Sequence, residues 1–219
     1  MDQAKVRPKR LIVIAGPSCS GKSWLIHHLR SGTGPRFVGG IRKKCKMKPR
    51  ILANRLRLAS LEKSYAKGDV ARRLKRGGYL HFDLTGRRQQ LKRKILHELI
   101  QAADQVIVLN VVVGFDDWIT ANQERLVQDP EHSISPFVRA LLKLHARDAM
   151  AARQCYAFMV DQWQQYLESY SLFRCLVVES RQARLMDQLD REQLGLVRMT
   201  PVQKLWLRLR FMSLLAKVA

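Results

Sequence analysis

The sequence predicts an α/β protein with a doubly wound, mainly parallel sheet and a helical lid insertion. Short apolar runs typical of buried strands alternate along the chain with segments of helical periodicity. The run 105–113 is unbroken and rich in β-branched residues, which suits a central parallel strand. The 219 residues are 47% hydrophobic, so the chain has enough apolar side chains for a sizeable core.

The N-terminal part is predicted to begin with a strand, a turn and a helix. Residues 11–15 are continuously apolar and form the first strand. A helix follows from Ser23 to Arg30 and ends at the Gly- and Pro-rich segment 31–35. Residues 36–40 are predicted to be a short edge strand.

The middle of the chain is predicted to contain two further helices and two further strands. The basic segment up to residue 50 is expected to be a loop. Residues 51–61 have apolar positions that allow a helix, and 79–83 form a short apolar strand that ends on a carboxylate. A helix over 89–103 and the strand 105–113 follow.

The C-terminal part is predicted to be mostly helical. Helices are expected over 115–127 and over 136–170, and a fourth and last strand over 173–179. We therefore divide the chain into a main domain over 1–197 and a basic, apolar C-terminal helix over 198–219. The main domain contains a basic insertion over about 32–76 and a helical lid region over about 115–170.

One segment carries a strong chemical signal. The sequence G-P-S-C-S-G-K-S fits the phosphate-binding pattern G-x-x-x-x-G-K-[ST] and lies between a predicted strand and a predicted helix. Glycines let the backbone turn so that N–H groups point at phosphate oxygens, and the helix start adds positive charge. The residues predicted to bind the nucleotide are Gly16, Pro17, Ser18, Cys19, Ser20, Gly21, Lys22 and Ser23.

Three side chains are predicted to complete this site. Lys22 is expected to bind the β- and γ-phosphates, and the Ser23 hydroxyl is the expected Mg²⁺ ligand. Asp83 follows a strand that is predicted to end beside the loop, where a carboxylate holds Mg²⁺ or orients a nucleophilic hydroxyl. The alternative for Asp83 is a loop-capping residue without chemistry.

Arginines in the predicted lid region are candidates for contact with the transferring phosphate. Arg125, Arg139, Arg147 and Arg153 recur in these helical segments, and Arg125 is closest to the end of the preceding strand. A cation supplied from a lid has a large effect on phosphoryl transfer. Arg125 is therefore the leading candidate, and the alternative for each arginine is an ordinary solvent-facing position.

The positive charge is concentrated in the first half of the chain. Residues 1–100 contain 26 Lys and Arg against 5 Asp and Glu, whereas residues 101–219 are nearly neutral. Such a field attracts a polyanion, an anionic membrane surface or an anionic substrate. The alternative is a solvated basic surface. No helix-turn-helix, zinc finger or RNP pattern favours nucleic acid in particular.

Cysteine and histidine spacing argues against a metal centre or a disulfide framework. The four cysteines are far apart and form no C-x-x-C pair, which fits a reducing compartment. His27, His28 and His81 lack partners at metal-ligand spacing, so core or surface roles are favoured. The first apolar run is too short for a signal peptide, and no segment suits a transmembrane helix, so we expect a cytoplasmic protein, with peripheral membrane association as a further option.

The loop resembles that of P-loop NTPases of the kinase and sulfotransferase-like branch. Gly16-Pro17-Ser18 with Gly21-Lys22-Ser23 is similar to the loop of guanylate kinases, whereas Gly21 to Leu25 is also similar to the sulfonate-donor loop of sulfotransferases. Asp83 to Gly86 resembles the D-x-x-G motif of GTPases, but the guanine-reading N-K-x-D motif is missing. The resemblance implies binding of a nucleoside triphosphate.

The C-terminal helix has no assigned role in this site. Thr200-Pro201 is a good helix start, and the following segment mixes large apolar residues with cations that do not collect on one face. Peripheral membrane association, docking of a partner and packing on the rest of the chain all remain open.

The sequence thus predicts an ATP- and Mg²⁺-dependent phosphotransferase that acts on a small anionic or hydroxyl-bearing molecule. Lys22, Asp83 and Arg125 are the predicted catalytic residues. A sulfotransferase-like enzyme with a sulfonated nucleotide donor is the first alternative. The second is a nucleotide-binding module whose basic half holds nucleic acid or an anionic membrane.

Overall fold

A computed structural model describes residues 9–74, 77–83, 85, 88–128, 135–169, 174–180, 184–186, 189–192 and 194–216. The structure is α/β, with one six-stranded, mostly parallel sheet. The strands are β1 (Arg10–Gly16), β2 (Arg55–Leu56), β3 (Gly78–Asp83), β4 (Gln105–Val112), β5 (Arg174–Glu179) and β6 (Arg184–Met186).

Helices connect most of the strands. The helices are α1 (Lys22–Ser31), α2 (Arg36–Lys44), α3 (Pro49–Ala53), α4 (Leu58–Tyr65), α5 (Gln89–Gln101), α6 (Phe115–Gln128), α7 (Pro136–Arg147), α8 (Ala149–Glu168) and α9 (Pro201–Ala216). A 3₁₀ turn covers Ala71–Leu74. None of the helices in the described ranges combines the length and apolar character needed to cross a bilayer.

The strand order is β2-β3-β1-β4-β5-β6, and only the β5–β6 pair is antiparallel. β1 lies between β3 and β4, so the chain first builds one side of the sheet and then crosses to the other. In register, Gly16 is opposite Asp83, and Ala15 is opposite Asn110. The carboxyl ends of the three central strands therefore meet at one edge, where ligands of open α/β sheets bind.

Helices cover both faces of the sheet, a layering compatible with a doubly wound fold. Successive side chains of a strand point to opposite faces. In β1, Leu11 and Val13 belong to the core under α5 and α8, whereas Ile12 and Ile14 belong to a second core under α1 and α2. All four side chains are fully buried, which explains the continuous apolar run of this strand.

Most of the sequence-based element assignments agree with the structure. The first strand, the helix that begins at Lys22, the long helix after Asp83, and the strands near 80, 108 and 176 all occur close to their predicted positions. The predicted segment 136–170 forms two helices, α7 and α8, and its last residue lies outside the described ranges. The antiparallel edge strand β6 was not predicted.

Two assignments between residues 36 and 50 are wrong, and the helix predicted over 51–61 is confirmed only at its two ends, in α3 and α4. Residues 36–40 are not an edge strand but part of α2, because Val38 and Ile41 bury one face of a helix that contains two adjacent glycines. The basic segment up to residue 50 is helical at both ends, in α2 as far as Lys44 and in α3 from Pro49, and residues 45–48 form a turn between them. The predicted helix over 51–61 is interrupted by β2, where the Asn54 carbonyl accepts a hydrogen bond from the Tyr79 N–H at 3.0 Å.

Candidate functional site

The segment between β1 and α1 turns tightly at two glycines. Gly21 has φ 84° and precedes α1 without any side-chain cap, so the N–H groups of the first turn have no intrahelical acceptor. A Cβ on Gly21 would lie 2.9 Å from the Ser180 Cβ. At Gly16, a Cβ would overlap the Val111 carbonyl oxygen of β4 and would lie 2.6 Å from Ser20 Oγ. Both positions therefore require glycine.

The Lys22 ammonium lies at the floor of this turn. The side chain is only 5% exposed, and Nζ donates to the carbonyl oxygens of Gly16, at 2.9 Å, and Pro17. Burial lowers the pKa of Lys22 to about 8, although the negative charge of Asp83 opposes part of that shift. Both hydrogen-bond acceptors are neutral, so within the part of the chain that the structure describes, the turn holds a buried cation without a directly bonded carboxylate.

The loop is fastened on both sides at Ser18. Its N–H donates to Thr85 Oγ1 at 3.0 Å, and its carbonyl accepts from the indole Nε1 of Trp118 at 2.8 Å. Trp118 lies in α6 and is fully buried. One peptide segment of the loop is thus tied to the chain after β3 and to the helix after β4.

Asp83 ends β3 and is oriented by the residues that follow it. One of its carboxylate oxygens, Oδ1, accepts from the Thr85 N–H at 2.9 Å and from the Thr85 hydroxyl at 2.8 Å. The side-chain Nε2 of Gln89 donates a hydrogen bond to the Asp83 backbone carbonyl at 3.1 Å. Thr85 therefore links the Asp83 carboxylate to the Ser18 N–H in one chain of hydrogen bonds.

These groups line a cleft of about 520 Å³ at the carboxyl edge of the sheet. Ser23 and Trp24 are exposed to it from the first turn of α1, and Arg125 lines it from α6. The structure thus brings together Lys22, Ser23, Asp83 and Arg125. The cleft is lined by Ser18, Cys19, Gly21, Lys22, Ser23, Trp24, His81, Asp83 and Arg125.

Two of the arginines from the predicted lid region, Arg125 and Arg153, contact identified side chains. Arg125 Nη1 lies 3.7 Å from the sulfur of Cys19, whose backbone is left-handed at φ 58°. Arg153 instead pairs with Asp116 at 2.6 Å and lies over the Phe115 ring. Of the four arginines that the sequence suggested, Arg125 is the one that lines the cleft.

His81 reaches the cleft from β3, two residues before Asp83. Burial lowers its pKa to about 4, and the positive charge of Lys22 contributes. The imidazole is therefore neutral at physiological pH. Sequence reasoning assigned His81 a core or surface role, whereas the structure places it on the cleft wall.

The sequence also gave no role to Thr85 or Trp118. Thr85 belongs to the D-L-T-G segment, in which the D-x-x-G pattern specifies the aspartate and the glycine but not the threonine. Trp118 lies far along the chain and has no motif around it, so only the folded structure reveals its bond to Ser18. Trp24 directly follows the motif in the sequence, but no sequence pattern predicts that its side chain lines the cleft.

The donor set suits a hard cation bound jointly with phosphate oxygens. Ser23 and Asp83 offer a hydroxyl and a carboxylate, which are oxygen donors of the kind that Mg²⁺ prefers. Ser20 Oγ is buried and finds no hydrogen-bond partner among the described residues, so the loop retains an unsatisfied polar group. In the same parts of the chain, no cluster of three or more His, Cys, Asp or Glu side chains forms an all-protein metal site.

The comparisons with known proteins assign no relative. The chain matches no family model, no curated protein and no solved structure.

Proposed function

We propose that this protein is an ATP-binding P-loop protein that transfers a phosphoryl group from Mg²⁺-ATP to a small molecule. The observation that carries the proposal is the buried Lys22 ammonium, which is bonded to two neutral carbonyl oxygens beneath an open cleft. A buried cation without a directly bonded counter-ion is costly, and a bound phosphate supplies that counter-ion. Because Asp83 and Arg125 line the same cleft, the site has groups for transfer as well as for binding.

The phosphates would bind where the backbone and Lys22 converge. The first turn of α1 offers uncapped N–H groups and the positive end of the helix, with no acidic residue to repel an anion. Lys22 would exchange its carbonyl partners for β- and γ-phosphate oxygens. Ser18 and Trp118 keep the loop in place during this exchange.

Ser23 and Asp83 are the residues that would hold the magnesium ion. The bound ion would supply charge neutralisation between phosphate oxygens. Thr85 fixes the Asp83 carboxylate by two hydrogen bonds to Oδ1, so this residue is already oriented before a ligand binds.

Transfer would require an acceptor hydroxyl in line with the γ-phosphate. The acceptor oxygen attacks phosphorus, the bond to the β-phosphate oxygen breaks, and ADP leaves with that electron pair. The acceptor proton would pass to water, because the Asp83 carboxylate would be occupied with the ion, and Arg125 would stabilise the charge on the transferring group. Neutral His81, on the cleft wall beside them, would orient the acceptor by a hydrogen bond.

Ligand-induced thermal shifts test the proposal directly. ATP, GTP, adenosine 3′,5′-bisphosphate and its 5′-sulfated form are compared with and without Mg²⁺. We expect ATP to raise the melting temperature, and Mg²⁺ to increase that shift, because Ser23 and Asp83 would hold the ion together with the nucleotide. A preference for the bisphosphate or its sulfated form without Mg²⁺ would instead assign the protein to sulfonate transfer.

Asp83→Asn is the matched variant for this experiment. An asparagine oxygen still accepts the two bonds from Thr85, so the fold and the loop are retained. The variant is expected to keep the metal-independent ATP shift and to lose the Mg²⁺-dependent increment. An unchanged increment would remove Asp83 from the metal site.

Proton uptake on binding is expected from the lowered pKa of Lys22. With a pKa of about 8, much of the free protein lacks this proton at pH 8.5, and phosphate oxygens raise the pKa again. ATP binding should therefore take up as much as about 0.7 proton at that pH and almost none at pH 6.5. Titration calorimetry in buffers of different ionisation enthalpy measures this number, and equal values at both pH values would contradict it.

A further inference from the structure

An apolar stripe on α9 faces away from the rest of the chain. Leu205 is 61% exposed, Trp206 50% and Leu209 69%, and Val202 is exposed as well. These four residues have the i, i+3, i+4, i+7 spacing of one helix face. Large apolar side chains at this spacing normally face a core, so an exposed set indicates an unfilled contact.

The opposite face of α9 is attached to the protein. Leu207 is buried in the main core, which also contains residues of α7 and α8. The Lys204 ammonium lies 3.7 Å from the Asp161 carboxylate, which is itself almost fully buried in α8. This arrangement fixes the rotation of α9 and therefore determines that the stripe of Val202, Leu205, Trp206 and Leu209 points outward.

Two arginines flank the exposed stripe. At about 100° per residue, Arg208 falls on one side of the stripe and Arg210 on the other. Both are exposed, and the Arg210 guanidinium lies over the Trp206 ring at 4.6 Å. The sequence alone suggested that the cations do not collect on one face. The structure explains the pattern for three of these cations, because Arg208 and Arg210 border the apolar stripe and Lys204 belongs to the attached side, whereas Lys217 lies outside the described residues.

The charge around α9 favours an anionic partner. Residues 193–219 contain five Lys and Arg and no Asp or Glu. Long cationic side chains beside an apolar stripe reach lipid headgroups while their stems cover apolar surface, and Trp prefers the membrane–water interface. An apolar stripe bordered by arginines thus fits the boundary between acyl chains and anionic headgroups.

We propose that α9 is a membrane-docking surface that lies flat on an anionic lipid bilayer. Val202, Leu205, Trp206 and Leu209 enter the acyl boundary, while Arg208 and Arg210 bind headgroup phosphates. Leu207 and Lys204 stay attached to the core, so docking requires no rearrangement of the domain. This inference is independent of the proposed nucleotide site and does not require that site to be active.

A second copy of the chain is a poorer occupant of this face. Two α9 helices in contact would bring the arginines of both copies together without any carboxylate from this segment to pair with them. A stripe of four side chains is also small beside the roughly 800 Å² that each partner of a stable interface buries. An anionic lipid surface supplies phosphates for the arginines and does not require a contact area of that size.

The test is co-sedimentation of the full chain with vesicles of phosphatidylcholine alone or mixed with phosphatidylglycerol. We expect binding to the mixed vesicles, weakened at least about tenfold by the double substitution Leu205→Asp with Leu209→Asp. Val127→Asp is the matched control, because Val127 is an 81% exposed apolar residue on α6. Arg208→Gln and Arg210→Gln should each weaken binding roughly fivefold.

Several outcomes would overturn the proposal. Binding that survives the double substitution would assign lipid attraction to the basic first half of the chain instead. Absence of wild-type binding to mixed vesicles would remove the membrane role, and a dimer that the double substitution dissociates would identify α9 as a self-association surface. The substituted leucines are exposed, so circular dichroism should show an unchanged fold and make each outcome interpretable.

Discussion

Replacement of Gly16 by alanine is expected to destabilise the protein by on the order of 3 kcal/mol and to abolish nucleotide binding. The new methyl group would overlap the Val111 carbonyl oxygen and crowd Ser20 Oγ. The first of these contacts is backbone of the central strand β4 and has little freedom to move. The end of β1 must shift instead, and with it the carbonyl that orients Lys22. Urea denaturation measures the loss of stability.

Gly39→Ala provides the control for this substitution. Gly39 lies within the exposed face of α2, and a Cβ there would meet no atom within 4 Å. Alanine is expected to stabilise the protein at this site by about 0.5–1 kcal/mol, because it reduces backbone freedom in the unfolded chain. Similar effects of the two substitutions, in sign and in size, would contradict the steric account of Gly16.

Replacement of Lys22 by methionine is expected to separate binding from stability. Methionine keeps the length of the side chain but removes the charge, so nucleotide affinity should fall by about 10- to 150-fold, as for a lost charged hydrogen bond. The free protein should nevertheless melt no lower than the wild type at pH 7, because a buried ammonium is removed. Thermal shifts with and without ATP measure both effects. Lys94→Met, at an exposed position on α5, should change neither quantity.

The stability of the wild type should also depend on pH through Lys22. Its pKa is lowered to about 8 in the folded protein from 10.5 in the unfolded chain. Between these values the unfolded state binds more protons, so stability rises with pH across that window. Below pH 8 the folded state carries a penalty of about 3 kcal/mol. The stability difference between Lys22→Met and the wild type should therefore narrow from pH 8 to 10.5, and a constant difference would contradict the burial of the charge.

The sequence sufficed to predict the buried strands but not the basic insertion. Each face of a central strand such as β1 is covered, so its apolar run is unbroken and recognisable. In α2, the adjacent Gly39 and Gly40 and the many cations obscure a helix whose two buried side chains are Val38 and Ile41. The two-residue strand β2 is too short to leave any pattern.

For the candidate site, the local turn was predictable from the sequence, whereas the contacts that support it from distant parts of the chain were not. The motif predicted that Lys22 and Ser23 lie together at the start of α1, because residues so close in the sequence share a single turn. Gly16 and Asp83 lie opposite one another in the β1–β3 register. Their proximity was predictable because both residues end parallel strands, and the carboxyl ends of parallel strands meet at one edge of the sheet. The bond from Trp118 to Ser18 joins residues a hundred positions apart and depends on the packing of α6. No local pattern contains that information.

The double attachment of Ser18 has a thermodynamic consequence. A loop that must become ordered around its ligand loses conformational entropy during binding, at roughly 1–2 kcal/mol for each residue whose backbone is fixed. Here Thr85 and Trp118 hold the Ser18 peptide on both sides, so the ordering has already taken place during folding. Association can then proceed with a small entropic penalty, and α6, which carries both Trp118 and Arg125, cannot rotate without moving the loop that it faces.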